Sequence, residues 1–334
     1  MLHFAQVTAN DYVIDLASGD ARTVIDVTQQ GLQSIRISGH FWFVRVCNES
    51  FYAMDMRVFE EDRMIGKKLA LIFIFASSLI GTAGDRLAHA QPTKEFEPQV
   101  GQEGKDVIWV PTPQALVDKM LDMAKVTPKD YVIDLGSGDG RTVITAAKRG
   151  SKALGIEYNP DMVELSKRNA AKEGVSDKAS FMKADLFETD FSQAQVITMF
   201  LLSTINLKLR PKILGLKPGT RIVSNTFDMA DWKPDEDATI PGCNSWCTAH
   251  LWIVPAKVDG TWTLSQGELT LKQTYQMITG TLKNGSAMTP VNGKLNGDQI
   301  SFNAGTVSYT GRVNDSSIEG SAGGNKWSAK KIQK

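Results

Sequence analysis

The sequence predicts an α/β domain, a parallel sheet with helices on both faces, followed by a small all-β barrel or sandwich. Three observations carry this. Between residues 91 and 255 short apolar runs alternate with segments of helical periodicity, the pattern of strands joined by crossover helices. One apolar run, Tyr131 to Leu135, stops at three closely spaced glycines, Gly136, Gly138 and Gly140, before a helical pattern opens at Thr142. Past Ala256 the pattern changes to short alternating runs with Asn-Gly and Gly-Asp turns at regular spacing, as in small antiparallel barrels.

The elements follow in order. Thr112 to Lys125 places Leu116, Met120, Leu121 and Ala124 at helical spacing, with Thr112 as a candidate cap. A second strand, Ala153 to Ile156, ends at Glu157, and Asn159-Pro160 opens a helix running to Lys172. Ser180 to Leu186 reads as a third strand and Gln195 to Leu201 as a fourth. A short helix over Leu207 to Leu214, a turn at Lys217-Pro218-Gly219 and a fifth strand, Arg221 to Asn225, come next. Trp232 to Cys247 reads as loop, and Ala249 to Pro255 as the last long strand of this domain. The β segment offers Gly260–Leu264, Glu268 to Leu282, Asn292–Leu295, Gln299–Asn303, Val307–Val313, Ser317–Ser321 and Lys326–Ile332. Trp262 and Trp327 look like plugs for a small barrel that binds a ligand or docks on its neighbour.

Glycines at a strand-to-helix turn let backbone come within contact distance of a ligand. A carboxylate at the end of the next strand, here Glu157, can accept from both hydroxyls of a ribose. The spacing is G-x-G-x-G, preceded by Asp134 inside the strand, rather than the G-x-G-x-x-G of dinucleotide sites. A carboxylate there would repel a pyrophosphate and suits a cationic amino-acid tail.

With these residues in place, the chain resembles class I S-adenosylmethionine-dependent methyltransferases. A narrower resemblance rests on Val110-Pro111-Thr112-Pro113, Asp134-Leu135-Gly136-Ser137-Gly138-Asp139-Gly140-Arg141 and Gly155-Ile156-Glu157-Tyr158-Asn159-Pro160. It is to the small lysine methyltransferases of mitochondrial inner-membrane proteins and their prokaryotic relatives, and it runs from about Asp106 to Trp232. It implies a Rossmann-like methyltransferase sheet and S-adenosyl-L-methionine as cofactor. The implied cofactor residues are Thr112, Asp134, Gly136, Ser137, Gly138, Gly140, Glu157, Tyr158, Asp185, Leu186, Met199 and Phe200. Among them Asp134 would hold the methionine ammonium, Glu157 the ribose and Asp185 the adenine amino group. Leu201-Leu202-Ser203-Thr204 stands where relatives often carry a proline, so the substrate-facing loop differs. No catalytic base is evident. The acceptor implied is a protein lysine; a small-molecule acceptor, or an exported binding protein on this fold without turnover, are the alternatives.

Lysine plus arginine equals aspartate plus glutamate, 37 each, so no basic excess marks a nucleic-acid partner. Met64 to Lys68 is a short basic start, Leu69 to Ala83 an apolar stretch, and Ala88-His89-Ala90 a small-x-small site, the anatomy of a signal peptide. Residues 64–90 are therefore read as a signal peptide or membrane anchor, with membrane association through 69–84, and the protein as exported or membrane-anchored. Residues 1–63 then form a doubtful extension. In it, Val7 to Ile25 repeats Val126 to Ile144 nearly residue for residue, the few changes including Ala17 and Ala21 in place of Gly136 and Gly140, a decayed partial repeat without a cofactor site. Residues 91–255 would be the methyltransferase domain and 256–334 the β domain. Cys243 and Cys247 are close enough to form a disulfide after export or to remain two thiols; no metal set accompanies them.

Overall fold

A computed structural model describes residues 13–15, 34–36, 43–46, 50–53, 95–265 and 267–332. The chain divides into two units, Met1–His89 and Ala90–Lys334. In the first, Val13–Asp15 pairs in parallel with Ser34–Arg36, and Phe43–Val46 pairs antiparallel with Ser50–Ala53. The signal-like segment 64–90 and most of the Val7 to Ile25 repeat lie outside the described residues.

The second unit opens with an extended strap, residues 95–113, and helix α1 (Gln114–Met123). Then come β1 (Tyr131–Leu135), α2 (Arg141–Lys148), β2 (Lys152–Glu157), α3 (Pro160–Lys172), β3 (Ala179–Lys183), β4 (Val196–Met199), α4 (Ser203–Ile213), β5 (Arg221–Asn225), β6 (Glu236–Thr239) and β7 (Thr248–Ile253). These seven strands form one sheet in the order β3-β2-β1-β4-β5-β7-β6. Strands β1 to β5 are parallel, and β7 runs antiparallel between β5 and β6. Order reverses at β1, whose neighbours are β2 and β4, so the crevice beyond its carboxyl end is the natural ligand position of this architecture.

Two cores flank the sheet. One packs α1, α2 and α3 against Val132, Ala153, Val196 and Val223; the other packs α4, Trp232 and Trp252 against Ile133, Ile156, Ile197 and Ile222. Alternation along β1 and β2 sends successive apolar side chains to opposite cores, which is why these strands read as continuous apolar runs.

Several local expectations change. Helix α1 begins at Gln114 with Pro113 as its N-cap and no side-chain cap; Thr112 Oγ1 instead accepts from Asn225 Nδ2 at 3.3 Å. The segment read as loop contains β6, an exposed edge strand. Ser203 and Thr204 open helix α4 rather than a loop.

The β segment is a closed barrel of eight antiparallel strands: β8 (Gly260–Leu264), β9 (Gly267–Thr274), β10 (Met277–Asn284), β11 (Ala287–Asn296), β12 (Gln299–Ala304), β13 (Val307–Asn314), β14 (Ser317–Ala322) and β15 (Asn325–Lys331). Closure comes from β8 pairing with β15, Trp262 opposite Lys331. The single strand expected from Glu268 to Leu282 is a hairpin that turns at Tyr275 and Gln276, with Tyr275 at φ 55°. Trp262, Leu269, Leu271, Ile278, Val291, Leu295, Ile300 and Phe302 fill the interior. Of the two expected plugs, Trp262 is fully buried, while Trp327 is half-buried and packs edge-on against Phe302 and Tyr309. The barrel is anchored to the sheet domain. Tyr275 stacks on Trp232 at 5.8 Å and donates to Asp231 at 2.7 Å, and Gln276 Nε2 donates to the Lys233 carbonyl at 2.8 Å.

Candidate functional site

Three glycines, Gly136, Gly138 and Gly140, adopt φ of 75°, 54° and 81° after β1, a region costly for any residue with a Cβ. The turn is tied down on several sides. Gly136 N and Ser137 N both donate to the Ile156 carbonyl of β2, at 2.9 and 3.1 Å. From α3, Ser166 Oγ donates to the Gly138 carbonyl at 2.8 Å and Asn169 Nδ2 to the Asp139 carbonyl at 3.0 Å. The turn is thus a rigid piece of backbone, its N–H groups and carbonyls held from β2 and α3.

Beyond it opens a cavity of about 510 Å³, within the ~300–1,000 Å³ range of small-molecule sites. Of the twelve residues singled out in the sequence, eleven line it: Thr112, Asp134, Gly136, Ser137, Gly138, Glu157, Tyr158, Asp185, Leu186, Met199 and Phe200. Gly140 is not among the lining residues. A Cβ there would meet the Phe181 ring at 2.7 Å and Ser166 Cβ at 2.9 Å, so its bareness lets α2 start tightly over β3 and α3.

Both oxygens of Glu157 are held by backbone, Oε2 by Gly138 N at 2.9 Å and Oε1 by Asn159 N at 3.0 Å. The carboxylate is locked in orientation with acceptor capacity left over. Asp134 is 6% exposed and accepts from Thr198 Oγ1 at 2.7 Å. Burial pushes its carboxyl up to about 7, against the hydroxyl's contribution, and the neighbouring Glu157 and Asp139 add to the rise. A buried acid in that condition gains from an arriving cation. Asp185 accepts from Lys105 Nζ at 2.5 Å and from Phe187 N at 2.9 Å. The Lys105 hydrogen bond holds the Asp185 carboxyl below its ordinary value.

The strap supplies residues that local sequence did not flag. Lys105 Nζ stands 4.9 Å from the Tyr158 ring centroid, and Trp109 covers the turn, since a Cβ on Gly138 would lie 2.6 Å from its Nε1. Arg141 ties strap to turn, reaching the Thr112 carbonyl at 2.9 Å and the Asp139 carboxylate at 2.5 Å. Their signal was the Trp109-Val110-Pro111 run, whose partners are set by tertiary contact alone.

On the other side of β1, past β4 and β5, the lining is Met199, Phe200, Leu201, Leu202, Ile205, Phe227 and Trp246. Phe200, Phe227 and Trp246 have ring centroids 5.6 to 5.9 Å apart. Trp246 sits inside the loop closed by the Cys243–Cys247 disulfide, which resolves the alternative left open for these cysteines. Among the described residues no group of three or more His, Cys, Asp or Glu could hold a metal ion, and no helix is long and apolar enough to cross a membrane.

S-adenosylmethionine carries an ammonium, a ribose, an adenine and a sulfonium methyl. The chain sets against these Asp134, Glu157, Asp185 and an uncharged, aromatic end. The glycine turn lining the cavity and the buried Asp134, whose carboxyl burial pushes up, suit such a ligand. The residues present fit the group.

Known proteins similar in sequence to this chain are methyltransferases. The family model of the ANTKMT methyltransferase domain matches residues 134–236. A protein-lysine N-methyltransferase of Saccharolobus islandicus is 44% identical over 151 residues, 44% of this chain and 94% of that protein. A human lysine N-methyltransferase named for the ATP synthase is 34% identical over 128 residues, covering 38% of this chain and 54% of that one. The adenine nucleotide translocase lysine N-methyltransferase of Mus musculus is 32% identical over 120 residues, 35% of this chain and 52% of that one. The chain thus spans about half the length of these two mammalian relatives. A Salinibacter ruber protein described as an RNA methyltransferase, solved with S-adenosyl-L-homocysteine, is 44% identical. It covers 45% of this chain and 96% of that one at a TM-score of 0.42.

Proposed function

We propose that this chain, which belongs to the protein-lysine N-methyltransferase family, uses S-adenosylmethionine to methylate the side-chain amine of lysine in a protein. The observation that carries the reading is the joining of Asp134, Gly138, Glu157 and Asp185 in one cavity on a chain 44% identical to a lysine methyltransferase across nearly all of that protein.

The cofactor supplies a methyl already activated on a sulfonium, so the protein needs chiefly to align acceptor and methyl and to exclude water. Asp134, Glu157 and Asp185 lie on one side of the crevice or at its centre and fix orientation. The end of β4, the link that follows and the first turn of α4 supply Met199, Leu201 and Ile205, apolar surroundings that favour the neutral, nucleophilic form of an entering amine. The Trp109 indole closes over the glycine turn and shields it from solvent.

The Cys243–Cys247 disulfide supports work in an oxidising compartment, in keeping with the signal-like segment 64–90. We infer export or anchoring by that segment, and mass spectrometry of the mature N-terminus tests it: a chain beginning at Met1 with an intact 64–90 segment would count against cleavage.

The function is tested by titrating the full chain with S-adenosylmethionine and S-adenosylhomocysteine, then following labelled methyl transfer into a protein extract, with total RNA and a small-metabolite fraction as parallel acceptors. Label in lysine is the expected outcome. Label in RNA or in small molecules alone would refute the acceptor, and binding without any transfer would refute turnover. Glu157→Ala should weaken cofactor binding by ~1–3 kcal/mol, the scale of a lost hydrogen bond to a charged group.

A further inference from the structure

The cofactor's sulfonium methyl calls for an uncharged end but does not by itself account for three aromatic rings gathered there. By sheet order, Glu157 and Asp185 follow β2 and β3 on one side of β1, whereas Phe200 and Phe227 follow β4 and β5 on the other. Trp246 joins them from a distant loop. Every residue lining this side, Met199, Phe200, Leu201, Leu202, Ile205, Phe227 and Trp246, is uncharged. The carboxylates set against the cofactor, Asp134, Glu157 and Asp185, lie at or just past the ends of β1, β2 and β3 instead.

What an entering nitrogen finds on this side is three ring systems. Their centroids form a triangle with sides of 5.6 to 5.9 Å, small enough for one ammonium to come within the ~6 Å reach of all three. Trp246 holds an unusual position: it is 39% exposed, and its backbone is left-handed, φ 57°, a conformation that a residue without glycine's freedom keeps only when its surroundings impose it. The five-residue disulfide loop is that constraint. On the other side, Thr226, next to Phe227, is also left-handed at φ 60°, held by His250 Nε2 on its carbonyl at 3.0 Å and by its own N–H on the Thr248 carbonyl at 2.7 Å. Two strained backbone positions thus bring two of the rings together.

We propose that Phe200, Phe227 and Trp246 form a π-faced wall that holds the acceptor nitrogen in its cationic, methylated states, with the Cys243–Cys247 disulfide keeping Trp246 in place, so that transfer continues past the first methyl. The inference rests on the lysine-acceptor reading above. In each round the amine's lone pair forms the new N–C bond while the C–S bond breaks and its electron pair leaves on sulfur. The positive charge passes from sulfur to nitrogen, and the wall solvates it where it arrives. The N–H proton of the alkylated nitrogen leaves to solvent past the partly exposed Trp246, which restores a neutral amine for the next round. A site lacking such a wall would release the first cationic product more readily.

The test uses the full, oxidised chain saturated with S-adenosylhomocysteine. The probes are a blocked trimethyl-lysine amide and its uncharged isostere, in which carbon replaces the quaternary nitrogen. Wild type should bind the cation about tenfold tighter than the isostere. Trp246→Leu should abolish that preference, Trp246→Phe should keep most of it, and S-adenosylhomocysteine affinity should be the same in all three. On a lysine acceptor, mass spectrometry should show Trp246→Leu accumulating the monomethyl product. Equal binding of cation and isostere by wild type, or a preference untouched in Trp246→Leu, would overturn the wall. A chain that methylates lysine without cation preference removes the wall alone; a chain that binds cofactor but never labels lysine removes the acceptor reading as well.

Discussion

At Gly138, in the sheet domain, an added Cβ would meet the indole of Trp109 at 2.6 Å, a side chain from a covering strap. At Gly280, in the barrel, it would stand 2.0 Å from the carbonyl oxygen of Thr270 and 3.1 Å from Leu271 Cα, on the neighbouring strand. The first glycine is bare so that the strap can close over a turn that lines the cavity. The second is bare so that two strands of a small barrel can coil closely together. The sheet domain leaves a cavity at the point where strand order reverses, with a buried acid and an unpartnered hydroxyl beside it; the barrel fills its interior with its own side chains. One region is built around what it binds, the other around itself, and the same residue type serves opposite ends.

Substituting the two glycines separates these roles most sharply. Gly138→Val should weaken S-adenosylhomocysteine binding by roughly 100-fold, combining backbone strain with a strap pushed off the turn. Gly280→Val should leave the affinity of the folded chain unchanged and lower Tm by about 5 °C or more, because backbone on both strands must move. Calorimetric titration beside a thermal melt reads both. Intact affinity in the Gly138 variant would mean that the turn does not touch the cofactor.

The comparison also shows why parts of the molecule were legible in the sequence. The glycine turn and Glu157 are encoded locally: a strand, its turn and the end of the next strand lie within one short stretch, and each residue type is dictated by its own backbone or by the ligand. Phe227, Trp246 and the strap residues Lys105 and Trp109 were not, because nothing in their neighbourhoods says which distant cavity they face. The barrel's alternation is legible in the sequence, yet nothing local divides Glu268 to Leu282 into the β9–β10 hairpin: its turn places Tyr275 in the left-handed region, where glycine or asparagine is the usual signal. Strand β6 escaped because an exposed edge strand has no buried face to impose alternation. Gly140 stands between the cases, a glycine within the ligand motif that the fold uses for packing.

A smaller effect sharpens the chemistry on the cavity side. Asp134 has an ordinary value of 3.8, raised to about 7 by burial, with Glu157 and Asp139 adding to the rise. Between those limits the folded chain keeps a proton that the unfolded chain has released. Its contribution to stability is therefore greatest near the acid limit and declines as pH rises toward 7. Cofactor binding should move the opposite way, because the ammonium pairs with the ionised form. Affinity is expected to rise roughly fivefold from about pH 6 to about pH 7, below the range where an α-amino group loses its own proton. Asp134→Asn should flatten the profile. A wild-type profile already flat would assign the ammonium to another partner.

The smallest expected effect has an unusual sign. Lys105 reaches Asp185 from the strap, and an adenine amino group donating to that carboxylate must compete with it. Lys105 is exposed and Asp185 only half-buried, so the ion pair itself contributes little to stability. Lys105→Ala should then leave Tm unchanged while strengthening cofactor binding, by about two- to threefold. The gain should shrink at high ionic strength, where the pair in the wild type is already screened. The alternative is that Lys105 closes the adenine end by lying against Tyr158, 4.9 Å from its ring. In that case the same substitution loosens the strap and weakens binding. Because the two mechanisms predict opposite directions, a titration of Lys105→Ala at low and high salt decides whether the strap guards the adenine end or helps to hold what enters it.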